Sequence, residues 1–228
     1  MCLVSGGMDS AVALAEAREA GFETRALTVR YGQRHVCELE AAGRVARALG
    51  AAQHRVVELD LAGLASSALT GASEVPKDRP VESMPRGVPS TYVPARNTIL
   101  LALALAWAES LEARDLYLGV NAVDYSGYPD CRPEFLEAFE RLAAVATAAG
   151  AEHGARFRVH APLLRLTKRE IVLRAVELGV DLSLTHTCYD PIAEGDALIA
   201  CGRCDACRLR LEGFRQAGRA DPLRYASR

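Results

Sequence analysis

A segment close to the N-terminus, Ser5 to Ser10, places two glycines, two serines and an aspartate between an apolar run and a helical pattern. The first backbone N–H groups of a helix have no partner inside the helix, and the helix dipole adds partial positive charge there. Gly6 and Gly7 let an anion approach the backbone closely, and both serine hydroxyls can donate hydrogen bonds. The segment therefore predicts a phosphate-binding loop, and an ordinary glycine turn with a serine cap is the alternative.

The aspartate of this loop, Asp9, would repel a bare phosphate. Its presence fits a site in which a metal ion bridges the carboxylate and the phosphates, or a loop in which the carboxylate caps the helix. The loop lacks the lysine of the Walker pattern and the third glycine of the dinucleotide-binding pattern. We therefore expect a phosphate loop of another type, with Asp9 as a candidate catalytic residue.

Four of the seven cysteines lie close together near the C-terminus, in the pattern C-x12-C-x2-C-x2-C: Cys188, Cys201, Cys204 and Cys207. Two residues between cysteines allow both thiolates to bind one tetrahedral ion. A shell of four sulfurs leaves no open coordination position, so the pattern predicts a structural zinc site. A redox cluster and an iron–sulfur site are the alternatives. His186 is a possible replacement ligand, although a capping or supporting role near the metal is favoured.

The elements that must position these residues alternate between strand and helix patterns, which is typical of an α/β fold with a parallel sheet and helices on both faces. The predicted strands are 1–4, 24–31, 54–59, 115–119 and 157–160, and the predicted helices are 10–20, 36–49, 97–111, 134–149, 168–178 and 205–217. Irregular structure is predicted for 62–94 and 120–133, and no regular element between 182 and 204. We expect a nucleotide-binding domain over 1–180 and a zinc-binding appendage, packed on the same domain, over 181–228.

Composition and charge exclude several classes of protein. The net charge is -2 and the sequence pI is about 6.2, without the basic excess of proteins that bind a nucleic-acid backbone. No apolar run approaches the roughly 20 residues that a bilayer span requires, and the N-terminus lacks the pattern of a signal peptide. We therefore expect a cytoplasmic protein that binds neither nucleic acid nor membrane, in a reducing compartment that argues against disulfides.

The loop Ser5-Gly6-Gly7-Met8-Asp9-Ser10 resembles the PP-loop of the ATP pyrophosphatases, which cleave ATP between the α and β phosphates. Five further segments narrow the resemblance to the 7-cyano-7-deazaguanine synthase family. They are Tyr31 to His35, Val93 to Asn97, Gly119 to Pro133, Pro162 to Ile171, and Cys188 to Cys207. The match extends to about Phe214. Its one departure is the short start, since only four residues precede Ser5.

The resemblance implies an ATP-dependent carbon–nitrogen ligase of queuosine-type purine biosynthesis. Such an enzyme adenylates the carboxylate of 7-carboxy-7-deazaguanine, and ammonia displaces AMP to form an amide. A second ATP activates the amide, and loss of AMP leaves the nitrile. The resemblance also implies a homodimer, magnesium bound with ATP, structural zinc, and ATP contacts along the loop and the first helix: Val4, Ser5, Gly6, Gly7, Met8, Asp9, Ser10, Ala11, Val12, Ala13 and Leu14.

Charged and aromatic side chains elsewhere suit this chemistry. Lys168, at a predicted helix start, is a candidate for a phosphate contact and the second candidate catalytic residue; a solvated lysine is the alternative. Arg96 is a cationic candidate, with a surface salt bridge as the alternative. The candidate substrate-binding residues are Gln33, Arg96, Asp124, Tyr125, Asp130 and Arg132. Among them, the aspartates suit the donor edge of a guanine-like ring, the tyrosine (or Tyr128) suits stacking, and Arg132 suits the carboxylate.

Two other functions remain open from the sequence. A PP-loop enzyme that modifies tRNA would need a basic face and usually a sulfur-carrying cysteine, which the near-neutral charge argues against. A nucleotide-sensing module with bound zinc would have no catalytic activity. Asp9 and Lys168 argue against it, because sensing does not require them.

Overall fold

A parallel sheet is the central element of the computed structural model, which describes residues 1–32, 37–61, 63–64, 67–71, 74–81, 84, 87–121, 123, 128–195 and 197–227. Its strands are β1 (Cys2–Leu3), β2 (Arg25–Arg30), β3 (Gln53–Glu58), β4 (Asp115–Tyr117) and β5 (Arg158–His160). They lie in the order β3-β2-β1-β4-β5, and every neighbouring pair is parallel. The predicted parallel sheet is therefore confirmed.

Helices connect these strands. They are α1 (Met8–Glu19), α2 (Cys37–Ala48), α3 (Arg96–Ser110), α4 (Pro133–Ala146), α5 (Ala148–His153), α6 (Lys168–Glu177) and α7 (Asp205–Gln216). Short 3-10 turns occur at Pro129–Cys131 and Leu182–Leu184. The predicted capping box of α6 is present, with Thr167 and Glu170 bonded reciprocally. Within the described ranges, no helix has both the length and the apolar character needed to cross a bilayer.

Both faces of the sheet carry apolar side chains and are covered by helices. Successive strand side chains point to opposite faces. Cys2 and Ala26 accordingly belong to an apolar cluster with α1 and α2, whereas Leu3 and Leu27 belong to a second cluster with α3 and α4. The predicted placement of helices on both faces is therefore confirmed.

The order of the strands creates a switch point between β1 and β4. From β1 the chain proceeds through β2 to β3 on one side, and then returns to build β4 and β5 on the other. Open parallel sheets bind ligands at such a point, beyond the carboxyl ends of the strands. The loop Ser5 to Ser10 follows β1 at this position.

The prediction of a single helix over 134–149 was wrong, because the structure divides this segment into two helices at Thr147. Thr147 has φ -116° and ψ 149°, which breaks α4, and its hydroxyl accepts a hydrogen bond from the Gly150 N–H at 3.0 Å. This bond caps α5, which passes through Gly150 and ends at Gly154 with φ +65°. The boundary between the two helices therefore lies at Thr147, and Gly150 does not end a helix.

A short hairpin lies where no regular element was predicted, between the first and second cysteines of the cluster. Its strands, β6 (Ile192–Glu194) and β7 (Ala197–Ile199), pair antiparallel. Three residues per strand are too few to establish a periodicity of two in the sequence. Of these six residues, only Ile199 is buried, so an apolar pattern is absent as well.

Candidate active site and metal centre

The loop Ser5 to Ser10 folds around the hydroxyl of Ser10. Ser10 Oγ accepts from the Ser5 N–H at 3.1 Å and donates to the Gly7 carbonyl at 3.0 Å. Gly7 is the N-cap of α1, and this helix start has no side-chain cap hydrogen bond. Asp9 therefore does not cap the helix, and of its two sequence interpretations the metal-binding one remains.

Two close approaches of backbone to backbone position this loop. Gly6 has φ +86°, and a Cβ built on it would lie 2.3 Å from the Glu38 carbonyl oxygen of α2. Gly119, just beyond β4, would place a Cβ 2.8 Å from the Ser10 nitrogen. Real Cβ atoms do not approach other atoms so closely, so both positions need glycine. The loop is thus enclosed by α2 on one side and by the end of β4 on the other.

Gly6→Ala is expected to lower the free energy of unfolding more than Gly21→Ala does. The two glycines have nearly the same conformation, with φ +86° and +85°, so each alanine adds left-handed strain of roughly 1–2 kcal/mol. A Cβ on Gly21 meets nothing within 4 Å, whereas a Cβ on Gly6 collides with Glu38 and Ala42. Urea unfolding should therefore show a further loss of about 1–3 kcal/mol in Gly6→Ala. Equal losses in the two variants would contradict the close contact.

Asp9 and Lys168 form a buried ion pair beside the loop. Lys168 Nζ lies 2.5 Å from Asp9 Oδ2, and the two side chains are 6% and 20% exposed. The other carboxylate oxygen, Asp9 Oδ1, is buried and has no hydrogen-bond partner among the described residues. An uncompensated carboxylate oxygen beside a phosphate loop suits a magnesium ion, which prefers oxygen ligands. Lys168 was predicted as a candidate for a phosphate contact, and in the structure its ammonium forms an ion pair with Asp9.

A cavity of about 210 Å³ opens beyond the carboxyl ends of β1, β2 and β4. The phosphate loop forms one wall of this cavity. The other walls contain the polar and aromatic side chains of Tyr31, Glu38, Arg96, Asn97, Asn121, Tyr128, Cys131, His186, Thr187 and Tyr189. A nucleotide on the loop would therefore have its phosphates directed at a chamber in which these polar groups are set among apolar walls.

Arg96 lies in this chamber at the start of α3, as the sequence predicted for a cationic candidate. Its guanidinium donates to the Tyr31 hydroxyl at 3.3 Å and lies 5.7 Å from the centre of that ring. Ala95, the N-cap of α3, has φ 54°, an uncommon conformation for a residue with a Cβ. Backbone strain of this kind persists where surrounding contacts impose it and is frequent at functional sites. The strained turn thus fixes where the arginine enters the cavity.

Glu38 lines the same cavity, and sequence reasoning missed it. It occupies the first turn of α2, close behind the end of β2. Burial raises the pKa of its carboxyl to about 7, against the opposing influence of Arg96. An acidic residue in the first turn of a helix ordinarily complements the helix dipole. This common role gave no reason to predict that Glu38 lines the cavity. The only available signal was its position just after a strand end of a parallel sheet.

The remaining predicted substrate residues are only partly brought together. Asp130 is buried, and its Oδ2 accepts from the Asn97 N–H at 2.9 Å, so it closes the start of α3. It is not among the residues that line the cavity, and neither is Arg132, an exposed residue at the N-cap of α4. Gln33, Asp124 and Tyr125 lie outside the described residues.

The four cysteines converge as the spacing predicted. All four are buried, and their sulfurs lie within 4.8 Å of one another, with Cys201 and Cys207 4.0 Å apart. A zinc ion 2.3 Å from each sulfur in tetrahedral geometry separates the sulfurs by about 3.8 Å, so the arrangement fits a four-coordinate ion. Hydrogen bonds from the neighbouring thiols, and then from the Arg203 N–H, hold the pKa of Cys201 below its usual value. The cluster therefore has the composition and geometry of a metal site.

A buried arginine ties the metal-bearing segment to the phosphate loop. Arg210, on α7 just after the last cysteine, is fully buried and pairs with Asp221 at 2.9 Å. It also donates to Thr185 Oγ1 at 2.6 Å and to Thr187 Oγ1 at 3.1 Å. Thr187 Oγ1 in turn accepts from the Met8 N–H at the start of α1. The predicted appendage therefore contributes directly to the shape of the loop.

Known proteins resemble this chain over nearly its whole length. The family described as queuosine biosynthesis protein QueC matches residues 1–218. Proteins named 7-cyano-7-deazaguanine synthase are 62% identical in Thiobacillus denitrificans, over 98% of this chain and 96% of the relative, and 58% identical in Syntrophotalea carbinolica, over 98% and 95%. The relative in Syntrophobacter fumaroxidans is 59% identical over 98% and 94%. The chain belongs to the QueC family of queuosine biosynthesis proteins.

Proposed function

We propose that this protein converts 7-carboxy-7-deazaguanine and ammonia into 7-cyano-7-deazaguanine, through an adenylated acid and an adenylated amide. Membership of the QueC family and the names of its relatives support this ATP-dependent carbon–nitrogen ligase activity. The observation that carries the proposal is the shared cavity, in which the phosphate loop and the Arg96 guanidinium face the same space. Activation of a carboxylate requires that the α phosphate and the acid meet in such a space.

Each group of residues has a part in this proposal. The segment from Val4 to Leu14 holds ATP, and the free oxygen of Asp9 holds the magnesium ion that draws charge from the phosphates when bound. Lys168 keeps Asp9 in place through the buried ion pair. Arg96 holds the anionic acid, and its guanidinium has no carboxylate partner within ion-pair distance among the described residues. Gln33, Asp124, Tyr125, Asp130 and Arg132 stay as substrate residues proposed from the sequence.

The metal, the partners and the compartment are part of the same proposal. The four-sulfur shell favours zinc in a structural role, since soft thiolates select zinc and leave no open position. Ammonia enters from solution, and the protein acts in the cytoplasm without binding nucleic acid or membrane. A homodimer is proposed from the family resemblance, and Leu142 and Val145 of α4, 49% and 74% exposed, offer apolar surface for it. Light scattering on the purified protein tests the dimer.

Mass spectrometry of a reaction mixture tests the activity. Purified protein is incubated with 7-carboxy-7-deazaguanine, ammonium, magnesium and ATP, and we expect the nitrile together with AMP and pyrophosphate. Accumulation of the amide alone would mean that the second activation does not occur and that the protein is a different amide ligase. No product from folded, zinc-replete protein would contradict the proposal and favour tRNA as the substrate, which a filter-binding assay with tRNA would then examine.

A further inference from the structure

Two carboxylates line the cavity, those of Asp9 and Glu38. Asp9 is paired with Lys168, whereas Glu38 is paired with no other described side chain. Across the described residues, no hydrogen bond or ion pair reaches its carboxylate, although Arg96 and Tyr31 lie close enough to interact with it electrostatically. Glu38 lines the cavity together with both of these residues. The residue as a whole is half-buried. Its carboxyl is therefore shielded by protein while still reached from the cavity.

Four other titratable groups that line the cavity are unsuited to accept a proton. The His186 imidazole also lines it, beside the phosphate loop to which its backbone N–H donates at the Gly6 carbonyl. Asp9 is held by Lys168 in an ion pair of 2.5 Å. Burial raises the pKa of the Cys131 thiol to about 12, and burial also raises the pKa of Tyr31. Arg96, the cation facing Glu38, carries no lone pair that can take a proton at neutral pH. Among these five groups, only Glu38 has an acceptor oxygen that is not held in an ion pair with another described residue and that lies at the cavity.

We propose that Glu38 is a catalytic residue, the proton acceptor for the nitrogen that ammonia brings to the substrate. The inference rests on the proposed function, because it assigns a step of that reaction. Glu38 approaches the phosphate loop through its own backbone, whose carbonyl packs against Gly6. Glu38 therefore lines the same cavity as the phosphate loop, where the acyl adenylate would form.

The chemistry supplies three protons for such a group, one in the first stage and two in the second. In the first stage the ammonia lone pair forms a C–N bond to the acyl carbon, the C–O bond to AMP breaks, and one proton leaves the nitrogen for Glu38. In the second stage the amide oxygen is adenylated and the C–O bond to AMP breaks, while the nitrogen lone pair completes the nitrile. The two remaining N–H protons leave the nitrogen in turn, and Glu38 accepts each of them. A carboxyl with a pKa near neutrality can accept each proton and return it to water before the next transfer.

Comparison of Glu38→Gln with Glu40→Gln tests the proposal. Glu40 is an exposed residue on the same helix, so its variant matches the change in charge without touching the cavity. Two reactions are measured for each: acid-dependent exchange between ATP and pyrophosphate, which needs no ammonia, and nitrile formation at a fixed concentration of unprotonated ammonia across pH. Thermal unfolding establishes that both variants are folded.

We expect Glu38→Gln to retain exchange and to lose nitrile formation by about 100-fold or more, the usual range for general base catalysis. The rise of kcat/KM with pH near 7 should disappear in Glu38→Gln and persist in Glu40→Gln. Equal loss of exchange and nitrile formation would overturn the proposal and assign Glu38 to substrate binding, for instance at the donor edge of the purine. Unchanged nitrile formation would also overturn it. Wild-type protein without acid-dependent exchange would overturn the proposed function itself.

Discussion

Cys204→Ser is expected to unfold the C-terminal segment, lower the melting temperature and abolish nucleotide binding. Cys204 is fully buried and is the N-cap of α7, so the metal site and the start of that helix share one residue. A serine hydroxyl stays protonated at neutral pH and cannot replace a thiolate ligand. Loss of a structural metal belongs to the few mechanisms that cost more than about 4 kcal/mol. Calorimetry and metal analysis of the purified variant measure both effects.

The loss should reach the phosphate loop through two contacts of α7. Phe214 shares an apolar cluster with Met8 and Val12 of α1, and Arg210 holds Thr187 against the Met8 N–H. We therefore expect removal of the metal by a chelator to weaken ATP binding together with stability, although the cluster lies outside the phosphate loop. Stabilisation by added MgATP, visible as a rise in melting temperature, should be lost in parallel.

Cys37→Ser is the matched control for this experiment. Cys37 is half-buried at the start of α2 and does not belong to the cluster. It should keep the metal content of the wild type, and its free energy of unfolding should stay within about 1 kcal/mol of the wild-type value, as for most substitutions away from the core. Cys204→Ser protein that keeps its metal and its melting temperature would show that the cluster does not support the fold.

Local patterns allowed the prediction of the phosphate loop and of the metal site. In both, the essential residues lie within a short segment whose spacing fixes their mutual geometry, as with Cys201, Cys204 and Cys207. The strand and helix patterns were equally local, so the parallel sheet followed from them. The structure moved most boundaries by only a few residues, because fraying ends carry little apolar signal.

Contacts between distant residues were not predictable in this way. Asp130 resembled a ligand for a purine edge, but its carboxylate accepts from the amide of Asn97, 33 residues earlier. Asp9 and Lys168 were each singled out, yet nothing in the sequence indicated that they pair across 159 positions. The position of Glu38 just after a strand end was its only signal, because the cavity that it lines is formed by residues distant in sequence. Pairings of this kind depend on tertiary packing, which a single sequence does not specify.

Asp9→Asn is expected to destabilise the protein by about 3–5 kcal/mol, because it leaves the ammonium of Lys168 buried without its partner. The Lys168 side chain is only 6% exposed, so water cannot replace the lost carboxylate. Lys168→Met should cost less, since the Asp9 side chain is 20% exposed and water can reach it. Urea unfolding of both variants measures these losses, with Glu19→Gln at the exposed end of α1 as the matched control.

The double variant Asp9→Asn/Lys168→Met should be more stable than the sum of the single losses predicts. Neither variant residue is charged, so no uncompensated charge remains buried, and a coupling of about 0.5–3 kcal/mol is usual for residues in direct contact. Additive losses would mean that the two side chains do not interact in solution. The coupling thus measures the ion pair separately from any part that either residue plays in catalysis.

Binding of ATP with and without magnesium then separates the two interpretations of Lys168. If Lys168 only holds Asp9, Lys168→Met weakens ATP binding in the presence of magnesium, because the free oxygen of Asp9 loses its fixed position. Binding without magnesium should then match that of Arg169→Met, a variant of the exposed neighbour on the same turn. If instead Lys168 moves to the phosphates, Lys168→Met weakens binding under both conditions. We expect the first result, because the ammonium is buried against Asp9 and is absent from the cavity wall.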